Sequence, residues 1–449
     1  MWNHCVLLVL SAAQSIQPPP PLPPVPTAQQ VAWQELEYGM FCHFGLNTFH
    51  NLEWSDGTKD PATFRPSAFR ARQWAKVAKK AGMKYLVVTA KHHDGFCLYP
   101  TAYTDYSVAS TPWRRGKGDV VRKVADACRG AGLVFGFYLS PWDRHEPKYN
   151  DSAAYDGHFK NQLTELLTNY GGVGEVWFDG AGSEGHVYDW DGYYALIREK
   201  QPDALIAICG PDIRWVGNED GLAPDTLWCV QERNGQQVWW PSECDVPIRR
   251  AHWFFHTNDE RSLRRIENLL DIYYRSVGQG ANLLLNVAPD RRGLLPRSDV
   301  VGLRELWDIL SDTFRTNLAL GKTVEASNVR GNDPAFAATQ IVDGGASTYW
   351  ATDDGVTEAS VTVDLGSPAT FNRAMIQEHI ALGQRVEEYE IEAWDGAQWN
   401  EVVAGTTIGQ KRLDRFADVT ANKVRLTVRK ARACPVIRAF GLYRATREP

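Results

Sequence analysis

The run Tyr85-Leu86-Val87-Val88-Thr89-Ala90 passes directly into Lys91-His92-His93-Asp94-Gly95-Phe96. A short, continuous, β-branched apolar run is what a strand buried on both faces of a parallel sheet requires. Adjacent imidazoles, an acid and a glycine at its C-terminal end suit a polar pocket. The layout recurs in Glu175-Val176-Trp177-Phe178-Asp179-Gly180, where a second apolar run stops at a carboxylate. Polar residues at strand ends are where β/α barrels keep their active sites. The two segments therefore predict a barrel and the position of its pocket.

Outward from them, short apolar runs alternate with helical patterns from Gly39 to about Val287. The strands read as Gly39 to Leu46, Tyr85 to Ala90, Leu133 to Ser140, Glu175 to Asp179, Ala204 to Cys209, Thr226 to Val230 and Asn282 to Val287. Between them, Ala71 to Ala81, Asp119 to Gly130, Phe159 to Tyr170, Tyr193 to Lys200 and Leu263 to Val277 carry apolar residues at i, i+3, i+4 and i+7. This is repeated β/α grammar, and its count predicts an irregular (β/α)8-like TIM barrel with fewer than eight clean units. After a helical stretch from Val301 to Phe314 the period changes to two, in Ala359 to Leu365, Ala374 to Glu378, Tyr389 to Trp394, Lys423 to Val428 and Ile437 to Tyr443. Alternation with intervening turns predicts a β-sandwich. The fold class is thus α/β plus all-β, with a catalytic barrel over 30–316 and the sandwich over 317–449.

At 449 residues the chain exceeds one hydrophobic core, and 44% hydrophobic content is enough to bury two. A formal net charge of -6 offers no broad basic face, so nucleic acid is not expected as a partner. The eight cysteines form neither a CxxC pair nor zinc-like spacing, and no disulfide framework is indicated. Cys5 to Ala13 resembles a short signal h-region followed by small residues, though no Lys or Arg precedes it, which predicts a leader over 1–16 and a secreted, extracellular or periplasmic/vacuolar-type location. No later apolar run reaches the roughly 20 residues of a membrane span. Prolines from 18 to 26 favour polyproline II, so 17–29 reads as a semi-rigid tether docked on the first domain.

The polar strand-end candidates are His43, Glu53, Trp54, His92, His93, Tyr138, Trp142, Trp177, Asp179, Glu219 and Trp253. A lone His43 in an apolar strand is equally well a core histidine satisfied by a carbonyl. Because successive strand residues face opposite sides, one of His92 and His93 should enter the pocket while the other packs or supports Asp94. Imidazoles with Asp179 also compose a metal shell, but the H-E-x-x-H and H-x-x-E-H spacings are absent and no metal or cofactor is expected. No G-x-S-x-G elbow supports acyl transfer. Asp179 reads either as a reacting carboxylate or as an acid orienting a histidine. Glu219, in Trp215-Val216-Gly217-Asn218-Glu219-Asp220-Gly221, is a second carboxyl or a solvated turn acid.

Taken together, Phe41 to Gly45, Glu53-Trp54, Lys91 to Phe96, Tyr138 to Arg144, Glu175 to Gly180 and Arg214 to Gly221 resemble, in order, the α-L-fucosidases of glycoside hydrolase family twenty-nine. The likeness runs from about Gln30 to Tyr443 and is nearest to the branch acting on α-1,3 and α-1,4 fucosyl linkages. It implies a retaining exo-glycosidase with Asp179 as nucleophile and Glu219 as acid/base. It also implies a fucose pocket of His43, Glu53, Trp54, His92, His93, Tyr138, Trp177 and Trp253. The implied partner is a fucosylated oligosaccharide or glycoprotein glycan. Fucose lacks a hydroxyl at C6, so its methyl needs apolar contact while its ring hydroxyls need partners. Asn317-Leu318-Ala319 and Asp343 to Trp350 resemble the scaffold of a discoidin-like module. Two other readings stay open: a broad-specificity fucosidase, and a fucose-binding lectin-like protein without turnover.

Overall fold

The computed structural model describes residues 16–182, 184–250 and 252–447. The leader expected over 1–16 lies outside them except for Ile16. In the first domain the strands are β1 (Tyr38–Cys42), β2 (Tyr85–Lys91), β3 (Val134–Leu139), β4 (Glu175–Phe178), β5 (Leu205–Ile208), β6 (Arg214–Trp215), β7 (Val230–Arg233), β8 (Gln236–Trp239), β9 (Ser242–Pro247) and β10 (Asn282–Asn286). The helices are α1 (Ala28–Gln34), α2 (Leu46–His50), α3 (Ala71–Lys80), α4 (Val120–Ala131), α5 (Ser152–Asn169), α6 (Trp190–Lys200), α7 (Ile266–Ser276) and α8 (Arg297–Thr313).

Among the described residues, eight strands pair in the order β5-β4-β3-β2-β1-β10-β9-β6, every pairing parallel. A parallel bridge between Ala207 and Ile213 brings the two ends of this sheet together into a nearly closed barrel. The irregularity is local. The chain passes from β5 to β6 and from β6 to β9 without a covering α-helix, and the β7–β8 hairpin forms a separate two-stranded sheet.

Alternation within each strand divides the core in two. Met40, Leu86, Val88, Phe137 and Val176 pack outward against the helices, whereas Phe41, Tyr85, Val87, Tyr138 and Trp177 fill the interior. α1 closes the end away from the pocket. Its capping box of Thr27 with Gln30 starts the helix, and Trp33 then enters the interior cluster. α4 shows how an outer helix is fixed: Val120, Val121, Val124, Ala125 and Cys128 are buried, Asp119 accepts from the Arg122 N–H at 2.7 Å, and Gly132 ends the helix at φ +65°. Such an acidic N-cap contributes about 1 kcal/mol.

Two expectations about the first domain fail. Thr226 to Val230 is not a barrel strand: only Val230 is extended, and it belongs to the hairpin. The missing barrel strand is β9, Ser-Glu-Cys-Asp-Val-Pro, all six residues buried. Its polar side chains gave no apolar run to read. The proline-rich segment docks on the second domain rather than the first: Arg330 Nε donates to Gln17 O at 2.7 Å, Arg385 Nη2 to Pro20 O at 2.6 Å, and Leu22 N to Leu382 O at 2.9 Å.

The second domain is an antiparallel sandwich built from β11 (Thr323–Ala326), β12 (Trp350–Ala351), β13 (Ala359–Glu378), β14 (Val386–Trp394), β15 (Trp399–Gly405), β16 (Arg412–Ala431) and β17 (Val436–Tyr443). The sheet order is β12-β17-β13-β16-β14-β15, with β11 on β13. Two segments that read as separate strands, Ala359 to Leu365 and Ala374 to Glu378, are the two ends of β13. The Gly366-Ser367-Pro368 punctuation between them coincides with a register shift against β16, not a strand end. No helix among the described residues is long and apolar enough to cross a membrane.

Candidate active site

The C-terminal ends of the barrel strands surround a cavity of about 660 Å³. Its lining includes His43, Glu53, Trp54, His92, His93, Tyr138, Trp177, Asp179, Glu219 and Trp253, so the structure brings together ten of the eleven strand-end candidates. Trp142 is absent from the lining. It stands behind the wall, edge-on to Trp54 with centroids 5.5 Å apart and 5.1 Å from the His93 ring. The alternation expected for the histidine pair fails as well. β2 shifts register after Thr89 and ends at Lys91, so His92 and His93 lie beyond the pleat, both lining the cavity with ring centroids 4.1 Å apart.

Asp179 follows the last residue of β4. Its Oδ2 accepts from the Tyr138 hydroxyl at 3.0 Å and its Oδ1 from the Ala181 N–H at 2.9 Å. His93 Nε2 lies 3.6 Å from Asp179 Oδ2. The Ser140 hydroxyl is committed to Trp142 O at 2.7 Å, which leaves Ser140 Oγ to accept from His93 Nδ1 at 2.7 Å. Burial holds His93 at about 4, against the pull of Asp179. The Asp179 donors are therefore the phenol and the backbone amide, with the imidazole added only in acid.

The other two cavity histidines, His43 and His92, are neutral. Asn286 donates Nδ2 to Trp253 O at 2.8 Å and its Oδ1 receives His43 Nδ1 at 2.9 Å, so His43 Nε2 is left with a bare lone pair. Burial pushes His43 down to about 3, offset in part by that bond, and lowers His92 well below the usual range. Neutral imidazole nitrogens suit the hydroxyl hydrogens of a sugar. Glu53 acts on a loop: its carboxylate accepts from Trp253 N at 2.7 Å and from His256 Nε2 at 2.6 Å. That arrangement fixes the Trp253 ring 5.1 Å from His43.

Glu219 projects, exposed, from the loop that follows β6. Trp253 Nε1 reaches its Oε2 at 3.4 Å. Within the loop the Asn218 side chain accepts from Asp220 N and Leu222 N and donates to Leu222 O at 2.8 Å. Gly221 closes it at φ +74°, where a Cβ would come within 2.6 Å of Val246.

Four lining residues with charged or indole side chains, Arg214, Trp215, Trp240 and Asp245, are not among the strand-end candidates. Asp245 is a fourth carboxyl in the lining, only 4% exposed, on strand β9. It accepts from Trp215 Nε1 at 2.7 Å, and burial followed by the charges of Glu243 and Glu219 raises it well above the carboxylate range. Trp215 and Arg214, on the two-residue strand β6, carried no periodic signal. A sequence rule that tolerated acids at alternate positions of a barrel strand would have found Glu243 and Asp245 together. Among the described residues, no group of three or more His, Cys, Asp or Glu could hold a metal ion.

Residues 50–312 match the Alpha-L-fucosidase family, and residues 340–426 match the NedA-like, galactose-binding domain family. The chain is 40% identical to Alpha-L-fucosidase 1 of Arabidopsis thaliana, with 97% of this chain and 90% of that one covered. Among solved structures it is similar to a Ruminococcus gnavus GH29 fucosidase in complex with fucose, at 32% identity and a TM-score of 0.89, covering 96% of this chain and 97% of that one. It is also similar to a glycoside hydrolase 29 family member from an unknown rumen bacterium, at 37% identity and a TM-score of 0.83, covering 96% and 79%.

Proposed function

Because the chain belongs to the α-L-fucosidase family and carries a discoidin-like C-terminal domain, we propose that it is a retaining exo-fucosidase with a preference for α-1,3- and α-1,4-linked L-fucose on branched glycans. Asp179 attacks the anomeric carbon as the glycosidic C–O bond breaks, and protonated Glu219 gives its proton to the departing oxygen. Glu219, now a carboxylate, then takes a proton from the water that displaces Asp179. The observation that carries this reading is the setting of Asp179: a carboxyl group that accepts from a phenol and a backbone amide, sharing one cavity with a loop-borne glutamate.

The remaining wall fits the ring of a deoxysugar. Trp177, Trp215 and Trp253 each direct an indole N–H at a carboxyl group, of Glu243, Asp245 and Glu219 respectively. Their rings are thus left as apolar surface for the C6 methyl and the sugar's C–H faces. His43 and His92 serve the hydroxyls. The linkage preference rests on the mouth, where Trp54 is 52% and Trp215 40% exposed. Large aromatic faces at a pocket rim, otherwise open to water, suit stacking on the sugars to which fucose is attached.

The test is fucose release from a simple chromogenic α-L-fucoside and from a Lewis-type branched trisaccharide, by the wild type and by Asp179→Ala. The proposal predicts a higher kcat/KM on the trisaccharide and a loss of orders of magnitude in the variant on both. Equal rates on the two substrates would leave a broad-specificity fucosidase. Binding without release by the wild type would mark a lectin.

A further inference from the structure

Beneath the pocket floor, on the barrel axis, lie two glutamates that the reaction above does not use. Glu175 opens β4 and Glu243 is the second residue of β9. They are 1% and 0% exposed, burial raises both, and the two carboxyl groups are close enough that each shifts the other's ionisation. Their other partners are two indoles and a phenol. Trp33 Nε1 donates to Glu175 Oε2 at 2.9 Å, Tyr85 Oη to Glu243 Oε1 at 2.7 Å and Trp177 Nε1 to Glu243 Oε2 at 3.0 Å. Three of the four carboxyl oxygens thus have a donor. Glu175 Oε1, wholly buried, has none.

A buried carboxylate oxygen without a donor is costly, and two facing carboxylates cannot both be ionised cheaply. One shared proton removes both costs. The donors say where it belongs: Glu243 accepts at both oxygens and is the better anion, whereas the unfilled oxygen is on Glu175.

From this arrangement we infer that Glu175 and Glu243 form a one-proton pair in which protonated Glu175 supports an ionised Glu243, and Glu243 is a positioning residue for the active site. It acts through Trp177. That ring packs at 27° and 5.4 Å against Tyr138, and Tyr138 donates to Asp179. The pair therefore anchors the floor on which the proposed nucleophile's donor rests. The inference rests on the fucose-pocket reading for its catalytic consequence but not for its chemistry.

The pair is asymmetric, and so is its test. In Glu175→Gln the amide N–H replaces the shared proton while the amide oxygen still accepts from Trp33. In Glu243→Gln one of two required acceptors becomes a donor. Expected are a kcat/KM within about threefold of wild type for Glu175→Gln, and a loss of roughly tenfold or more for Glu243→Gln, carried mainly by kcat. The indole N–H resonance of Trp177, identified by its absence in Trp177→Phe, should move in Glu243→Gln and stay within its wild-type position in Glu175→Gln. That resonance reports the bond whether or not the protein turns over fucosides, so it fails separately from the functional reading. Equal effects of the two Gln variants on it, or an unmoved resonance in Glu243→Gln, would overturn the inference.

Discussion

Residue chemistry in the pocket is set by what burial does to imidazoles. His43 and His93 are held at about 3 and about 4 in the folded chain, against an ordinary 6.5, with burial the leading cause. Because these folded values lie below the unfolded one, the unfolded chain binds protons that the folded chain refuses once the pH drops below about 6.5. Their contribution to stability is complete above that pH and is lost progressively toward 4 and 3. Asp94, buried and raised to about 7, has the opposite sign, so the informative measurement is a difference. The fall in Tm between about pH 7 and about pH 4.5 should be smaller in His93→Gln than in the wild type; identical slopes would contradict the assignment. At this scale the sequence was generous. Histidines, acids and indoles at strand ends were legible because strand-end position is itself a functional signal. The fate of an indole N–H was not legible: nothing near Trp177, Trp215 or Trp253 in sequence foretells the carboxyl group each one meets across the barrel.

Elements decide how the exposed Glu219 is presented. Its loop leaves the short strand β6 and is folded on itself by Asn218, and it ends at Gly221, where φ is +74° and a side chain would meet Val246 at 2.6 Å. Gly221→Ala must therefore move the loop off β9, at a cost of about 1–3 kcal/mol from strain and overpacking. Steady-state kinetics should give a loss of roughly tenfold in kcat/KM, while circular dichroism retains the wild-type spectrum. Unchanged kinetics would mean that the loop does not position Glu219. Elements also show where sequence reading stops. Strands with continuous apolar runs, such as Tyr85 to Ala90, announced themselves. β9 did not, because its glutamate and aspartate face a barrel interior that supplies phenol and indole donors, and β6 is too short for any period. β13 was divided at Gly366-Ser367-Pro368 because punctuation inside a bulged strand looks like the end of one.

At the scale of the whole molecule, the two domains share core and charge. Met375 and Leu413 of the sandwich pack into the barrel's outer cluster. Lys411 pairs with Glu37, and Arg438 with Glu35 at 2.9 Å. Gln384 accepts from Cys229 N and donates to Leu227 O, which holds the segment leading to the β7–β8 hairpin against the sandwich. The sequence announced two domains through its change of period but could not show this seam, whose residues are distant along the chain and carry no local pattern. Barrel, loop and interior pair converge on one claim, that Asp179 is the group that bonds to the sugar. The most direct test is to inactivate the enzyme with a 2-deoxy-2-fluoro-fucosyl fluoride, which slows breakdown of a covalent intermediate, and to map the adduct by mass spectrometry. The account predicts one fluorofucosyl group per chain, on the peptide containing Asp179; an adduct on Glu53, Glu219 or Asp245, or inactivation without any adduct, would contradict it.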